Sequence, residues 1–189
     1  SFHLQPCTGV QVSTPSSTPP LVLITGGSRG IGAASALLAA QQGWAVAVNF
    51  TRDAQAAADV VSQIHAMGGK AQAFQADVGI ESDIHRLFSE VDHAMGRIQG
   101  LVNNAGVVDV ACRVEEMSWD RLERMMRINV IGAIVCAREA ILRMSTKHGG
   151  KGGSIVNLSS VAARVGAPGQ YVDYAASKGA IDTFNLGLA

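Results

Sequence analysis

The sequence predicts an α/β domain built on a doubly wound parallel sheet, and three observations predict it. From Leu21 onward, short β-branched runs bounded by glycine alternate with longer, alanine-rich amphipathic stretches, the pattern of repeated βαβ units. Several of the short runs are apolar on both faces, as parallel strands covered on two sides are. A glycine-rich stretch, "ITGGSRGIGAAS" at 24–35, stands at the first strand-to-helix junction, and open parallel sheets bind ligands beyond the carboxyl ends of their strands.

The elements follow in order. LVLIT (21–25) is the first strand, and the helix after the glycine turn runs over 30–42 and stops at Gly43, glycine being the residue that closes a helix most readily. WAVAVNF (44–50) is the second strand, and Asp53 opens the helix over 53–67, where its charge suits the positive end of the helix dipole. KAQAFQA (70–76) is the third strand, followed by a helix over 81–95 that begins with "ESD". IQGLVNN (98–104) is the fourth, and a long helix is expected over 118–147. In it Met125, Ile128, Ile131, Ile134 and Val135 recur at helical spacing, as packing groups do. GSIVNLS (153–159) is the fifth strand, and a last helix starts at 171 and is still unfinished at Ala189.

Composition limits what such a domain can do. Its 189 residues are 48% hydrophobic and 16% charged, enough for one domain with a sizeable core. Fifteen basic residues balance fifteen acidic ones, which leaves no footprint for nucleic acid or an anionic membrane surface. A small ligand is expected. Cys7, Cys112 and Cys136 show no CxxC spacing, so neither a disulfide framework nor a zinc site is expected, and a reducing, cytoplasmic compartment fits. The five histidines show no HxxxH pairing, and no metal is implied. No apolar run approaches the roughly 18 residues that span a bilayer. Residues 1–20 are rich in Ser, Thr and Pro and read as a disordered tail, with the domain occupying 21–189.

Two local patterns point to chemistry. In the TGxxxGxG turn, Gly26, Gly30 and Gly32 let backbone approach a pyrophosphate while a helix N-terminus faces its charge. Near the other end, Tyr174 and Lys178 are four residues apart and share a helix face, an arrangement in which an ammonium favours a neighbouring phenolate.

With "NNAG" at 103–106 and "YAASK" at 174–178, the glycine turn resembles the short-chain dehydrogenase/reductase family over about Leu21 to Ala189, most nearly its oxoacyl-thioester reductases and its sugar or polyol dehydrogenases. The resemblance implies a Rossmann-like fold that binds NAD(H) or NADP(H). It assigns Thr25, Gly26, Ser28, Gly30, Ile31 and Gly32 to the pyrophosphate turn and Asp77 and Val78 to the adenine side. Asn103, Ala105 and Gly106 fall on the strand that supports the cofactor. Tyr174 is implied as the proton donor and acceptor and Lys178 as its partner, both also touching the cofactor. Ser160 then holds the substrate oxygen, with Ser159 as the competing serine, and Asn129 holds a water in a proton relay to the lysine. Tyr171 is read as a pocket residue, and Asp173 as a helix-start residue or a substrate contact.

Charge selects between the cofactors. Where NAD-using relatives carry an aspartate at the end of the second strand, this chain has Phe50, and Arg29 and Arg52 lie within reach of a 2′-phosphate, which their forked donors suit. NADP(H) is therefore expected over NAD(H). The implied partner is a small carbonyl or alcohol substrate, and the implied assembly is a homodimer or homotetramer paired through helices 118–147 and 171 onward. Complete relatives carry a further helix, a substrate-covering loop and another strand, so a C-terminally truncated fold with weak or no turnover is expected of residues 1–189. The competing readings are an inactive fragment and a nucleotide-binding sensor or scaffold.

Overall fold

Strand burial on both faces sets the architecture. In a computed structural model, which describes residues 18–188, five parallel strands form one sheet in the order β3-β2-β1-β4-β5. The strands are β1 Leu21–Ile24, β2 Ala45–Phe50, β3 Ala71–Gln75, β4 Gly100–Asn103 and β5 Ser154–Asn157. Alternate residues of β1 enter different cores. Leu21 and Leu23 pack with Leu87, Phe88, Val135 and Cys136, while Val22 and Ile24 pack with Ala36, Val60 and Ile64. Helices α1 (Gly30–Gln41) and α2 (Ala54–Ala66) thus cover one face, and α3 (Glu81–Met95) and α5 (Ala133–Met144) cover the other, as an apolar strand with period-two facing requires. The strand order reverses between β1 and β4, which opens the crevice typical of such sheets above their carboxyl ends.

Local signals place the helix starts. Asp53 caps α2, its carboxylate accepting the Ala56 N–H at 3.0 Å, as its place before the apolar run predicts. Glu81 opens α3, and Asp83 in its first turn accepts the Asp77 N–H at 2.9 Å.

The stretch expected as one helix over 118–147 is interrupted. α4 spans Trp119–Met126, a π-helical turn follows over Arg127–Gly132, and α5 resumes at Ala133. A wider turn rotates the apolar stripe out of phase with a straight 3.6-residue helix. Met125 and Val135 are buried and Ile128 packs at the core edge, but Ile131 and Ile134 are exposed, a correction to their expected burial. The turn coincides with a close approach: a Cβ on Gly132 would lie 2.3 Å from the Val78 carbonyl oxygen, so the helix meets that loop backbone to backbone. After β5 a short helix, α6 at Ala162–Val165, leads to the longer α7 at Val172–Leu188.

Most of the expected N-terminal tail, residues 1–17, lies outside the described residues. Pro20, at its end, already joins the sheet, its carbonyl accepting the Ala45 N–H at 2.8 Å. No helix among the described residues is long and apolar enough to cross a membrane.

Candidate active site

The glycine turn is fixed from three sides. Gly26 has φ +61°, the left-handed region that favours glycine, and its N–H donates to the Asn49 side chain at 3.1 Å while Gly27 donates to the Asn49 carbonyl at 2.8 Å. Asn49 is buried at the end of β2, and its amide donates to the Ala76 carbonyl at 3.1 Å. Just past β4, the Asn104 side-chain amide donates to the carbonyls of Thr25 and Gly26 at 2.8 and 2.9 Å. Thr25 is buried, and its hydroxyl accepts the N–H groups of Asn104 and Ala105, both at 3.0 Å.

This places the residues of the glycine turn and the β4 end in three ways. Thr25 and Asn103 are buried supports. Asn103 donates to the Ala133 carbonyl and to Asn157, tying β4 to its neighbours. Gly26, Ser28, Arg29, Gly30, Ile31, Ala105 and Gly106 retain exposure along the crevice. Gly32 forms the floor, since a Cβ there would lie 2.4 Å from the Gly26 oxygen and 2.5 Å from Asn104 Nδ2.

The N-terminus of α1 carries no side-chain cap, because Arg29 occupies the cap position in an extended conformation. Its first N–H groups are thus left for an anion, together with the partial positive charge of the helix end. Arg29 and Arg52 are exposed, and neither enters an ion pair among the described residues. Phe50 is buried. Asp77 accepts the Gly79 N–H at 2.8 Å and Val78 is buried beside it. A backbone cradle, an uncapped helix end and two unpaired arginines form a donor set that fits a dinucleotide phosphate.

The proton-handling candidates meet across the crevice. Lys178 is only 5% exposed, and its ammonium donates to the Leu158 carbonyl at 2.7 Å and sits 5.8 Å from the centre of the Tyr174 ring. Burial lowers its pKa, with Asp182 acting in the opposite direction. A Cβ on Gly106 would lie 3.3 Å from Asn129 Oδ1 and 3.7 Å from Lys178 Nζ, so all three adjoin. The Asn129 side chain is held on both sides: Oδ1 accepts the Val107 N–H at 2.7 Å, and Nδ2 faces the Val107 carbonyl at 2.8 Å and Ser177 Oγ at 3.1 Å. Ser177 in turn donates to the Tyr174 carbonyl at 2.7 Å.

Ser160 is half-buried, and its oxygen accepts the Ala162 N–H at 3.2 Å, which leaves the hydroxyl hydrogen able to donate. The competing Ser159 donates to the Lys178 carbonyl at a long 3.5 Å. Ala162 packs with Tyr171 and Tyr174, whose rings meet edge to face at 5.9 Å. Asp173 is buried and paired with Arg121 at 2.7 Å, which resolves its open reading: it is held by the protein and not presented to a substrate.

Sequence reasoning missed Asn49, Asn104, Ser177 and Arg121. Asn104 lay inside the quoted "NNAG", and a polar residue at the end of an otherwise apolar β2 marked Asn49. The pairing of Arg121 with Asp173, 52 positions apart, left no local signal. Among the described residues, a concavity of about 620 Å³ lies elsewhere, between Met144, Gly153, Ile155, Asn185 and Leu188. No titratable side chain lines it, so it competes poorly as a reaction site.

Comparison with known proteins accords with this geometry. Residues 20–189 match the family described as short chain dehydrogenase. Over 169 residues the chain is 50% identical to "Uncharacterized oxidoreductase YgfF" of Escherichia coli K12, covering 89% of this chain and 68% of that protein. It is 36% identical over 174 residues to a 3-oxoacyl-[acyl-carrier-protein] reductase of Synechocystis, covering 91% and 68%. A short chain dehydrogenase from Burkholderia cenocepacia, solved in complex with NADP, superposes with a TM-score of 0.82 at 35% identity, covering 90% of this chain and 67% of that one. The chain therefore spans about two thirds of the length of these proteins.

Proposed function

This chain belongs to the short-chain dehydrogenase family, and on that premise we propose that it is an NADP(H)-dependent oxidoreductase that interconverts a carbonyl and a secondary alcohol. The observation that carries the proposal is the placing of the buried Lys178 ammonium 5.8 Å from the centre of the Tyr174 ring, beside Gly106 and on the carbonyl of Leu158, two residues before Ser160. NADP(H), when bound, supplies or accepts the hydride.

The chain's own residues divide the remaining work. The turn over Gly26–Gly32 and the open N-terminus of α1 bind the pyrophosphate, with Ile31 and Ser28 at its edge. Asp77 and Val78 border the adenine, and Arg29 and Arg52 bind the 2′-phosphate. Ser160 donates a hydrogen bond to the substrate oxygen, stabilising it as charge develops there. Tyr174 gives that oxygen a proton in reduction and removes it in oxidation. Lys178, held by the Leu158 carbonyl, favours the phenolate by its charge. The Asn129 amide fixes Val107 and Ser177, so its place in a proton relay rests on the backbone of its π-helical turn.

Support for NADP(H) over NAD(H) comes from the two unpaired arginines, from Asp53 being engaged as a helix cap and from Phe50 at the end of β2. The Burkholderia neighbour's NADP agrees with it. Assembly into a dimer or tetramer through α4, the π-helical turn, α5 and α7 is part of the proposal, supported by exposed Trp119 on α4, Ile131 on the turn, and Ile134 and Leu142 on α5.

Fluorescence titration of NADPH and NADH with this chain tests the binding half, with at least tenfold tighter binding of NADPH expected. A screen of NADPH oxidation against ketones, oxoacyl thioesters and sugars tests the chemical half. Tyr174→Phe should lower turnover at least 100-fold, and undiminished turnover in that variant would overturn the mechanism.

A further inference from the structure

Arg121 joins three segments that border the proton-handling groups. It lies on α4, and its Nε and Nη2 donate to Oδ2 and Oδ1 of Asp173 in α7 at 2.7 and 3.1 Å. Its Nη1 donates to the Val110 carbonyl at 2.7 Å. The two charged side chains are 10% and 1% exposed, so the pair acts in a setting where charge-assisted hydrogen bonds are strong.

The stretch from Val107 to Cys112 is thereby pinned at three points. Val107 is held by the Asn129 amide, Val110 by Arg121, and Cys112 by its N–H to the Gln170 carbonyl at 2.8 Å. Gln170 immediately precedes Tyr171, and Asp173 immediately precedes Tyr174. An ion pair alone would tie α4 to α7. The third bond adds the 107–112 stretch to the same guanidinium, and only a planar fork reaches both acceptors at once.

We propose that Arg121 is a positioning residue: by holding Val110 and Asp173 together, it fixes the 107–112 wall against the first turn of α7 and so sets where the substrate lies beside Tyr174. This rests on the oxidoreductase reading above. It assigns Arg121 an effect on substrate binding separate from its contribution to folding.

The test compares the wild-type chain with Arg121→Met/Asp173→Leu and with Arg121→Lys. The double variant replaces a buried ion pair with apolar side chains, an exchange that buried pairs often tolerate in stability, while the bond to Val110 is lost. Its thermal midpoint and NADPH affinity should stay near wild type, with KM for the ketone raised about tenfold and kcat within threefold. Amide hydrogen exchange over 108–112 should be at least tenfold faster, with β1 and β4 unchanged. A purely structural pair predicts instead that KM recovers together with folding, and wild-type KM with wild-type exchange in the double variant would overturn the proposal. Arg121→Lys keeps a cation opposite Asp173 without the fork, so it should show the same split. A folded Arg121→Lys with wild-type KM and exchange overturns the proposal even if the double variant does not fold. If the wild-type chain fails to oxidise NADPH with every carbonyl substrate of the screen, the oxidoreductase reading fails on its own, and the exchange rates still decide: faster exchange over 108–112 in a folded variant supports the clamp, and unchanged exchange overturns it.

Discussion

Lys178 shows how a single residue is placed at a cost to the fold. Its ammonium is buried and is held by the Leu158 carbonyl at 2.7 Å, and burial lowers its pKa from the ordinary 10.5. A lysine whose folded pKa is depressed disfavours folding while it is charged. Stability therefore rises with pH as the solution passes from that lowered value up to 10.5. Lys178→Met removes the titration, so the stability of wild type relative to this variant should climb across that window in urea unfolding at stepped pH, and a flat difference would contradict it. The same substitution should lower turnover at least 100-fold, since Lys178 is the cation that, among the described residues, lies beside Tyr174. Gly32 gives a second residue-scale prediction. A Cβ there would fall 2.4 Å from the Gly26 oxygen, and backbone cannot yield as a flexible side chain can, so Gly32→Ala should weaken NADPH binding at least tenfold in a fluorescence titration.

Among the elements, α4, the π-helical turn and α7 position the proton-handling candidates. Arg121 and Asp173 join the two helices, and the guanidinium holds the Asp173 carboxyl below its ordinary value of 3.8, helped by the Tyr174 amide. A carboxylate with a depressed folded pKa gives its full stabilisation above 3.8 and loses it as pH falls through the lowered value. Arg121→Met leaves Asp173 buried without its partner, at about 3–5 kcal/mol, or a fall in Tm of roughly 10 °C for a domain of this size. Calorimetry at neutral pH checks the loss, and the gap between this variant and wild type should narrow below pH 3.8. These elements also mark how far the sequence could be read. The five strands and their order of appearance were legible because apolar runs and glycine boundaries are local signals. The break at Arg127–Gly132 was not, because "RINVIG" continues a helical pattern and the turn answers to a contact between Gly132 and Val78. Spacing and family resemblance single out Tyr174, Lys178 and Ser160 as candidates, whereas the Arg121–Asp173 pair exists only once α4 and α7 pack.

At the scale of the whole molecule, one crevice gathers everything the sheet's carboxyl ends present: the glycine turn after β1, the "NNAG" strand end after β4, and Ser160 after β5. The order β3-β2-β1-β4-β5 puts the strand reversal between β1 and β4, so the cofactor candidates and the proton-handling candidates share one opening. The exposed apolar residues of α4, the π-helical turn and α5 lie outside both cores, and light scattering should find a dimer or larger species that Ile131→Asp dissociates. The central claim, that this opening carries hydride transfer with Tyr174 moving the proton, is tested most directly in a single turnover. With enzyme in excess over a ketone that the screen identifies, deuterium from NADPH carrying deuterium at both nicotinamide C4 positions is followed into the product by mass spectrometry. The account predicts one deuterium on the new carbinol carbon in wild type and at least a 100-fold slower appearance in Tyr174→Phe. Alcohol formed without the label, or formed at the wild-type rate by Tyr174→Phe, would contradict it.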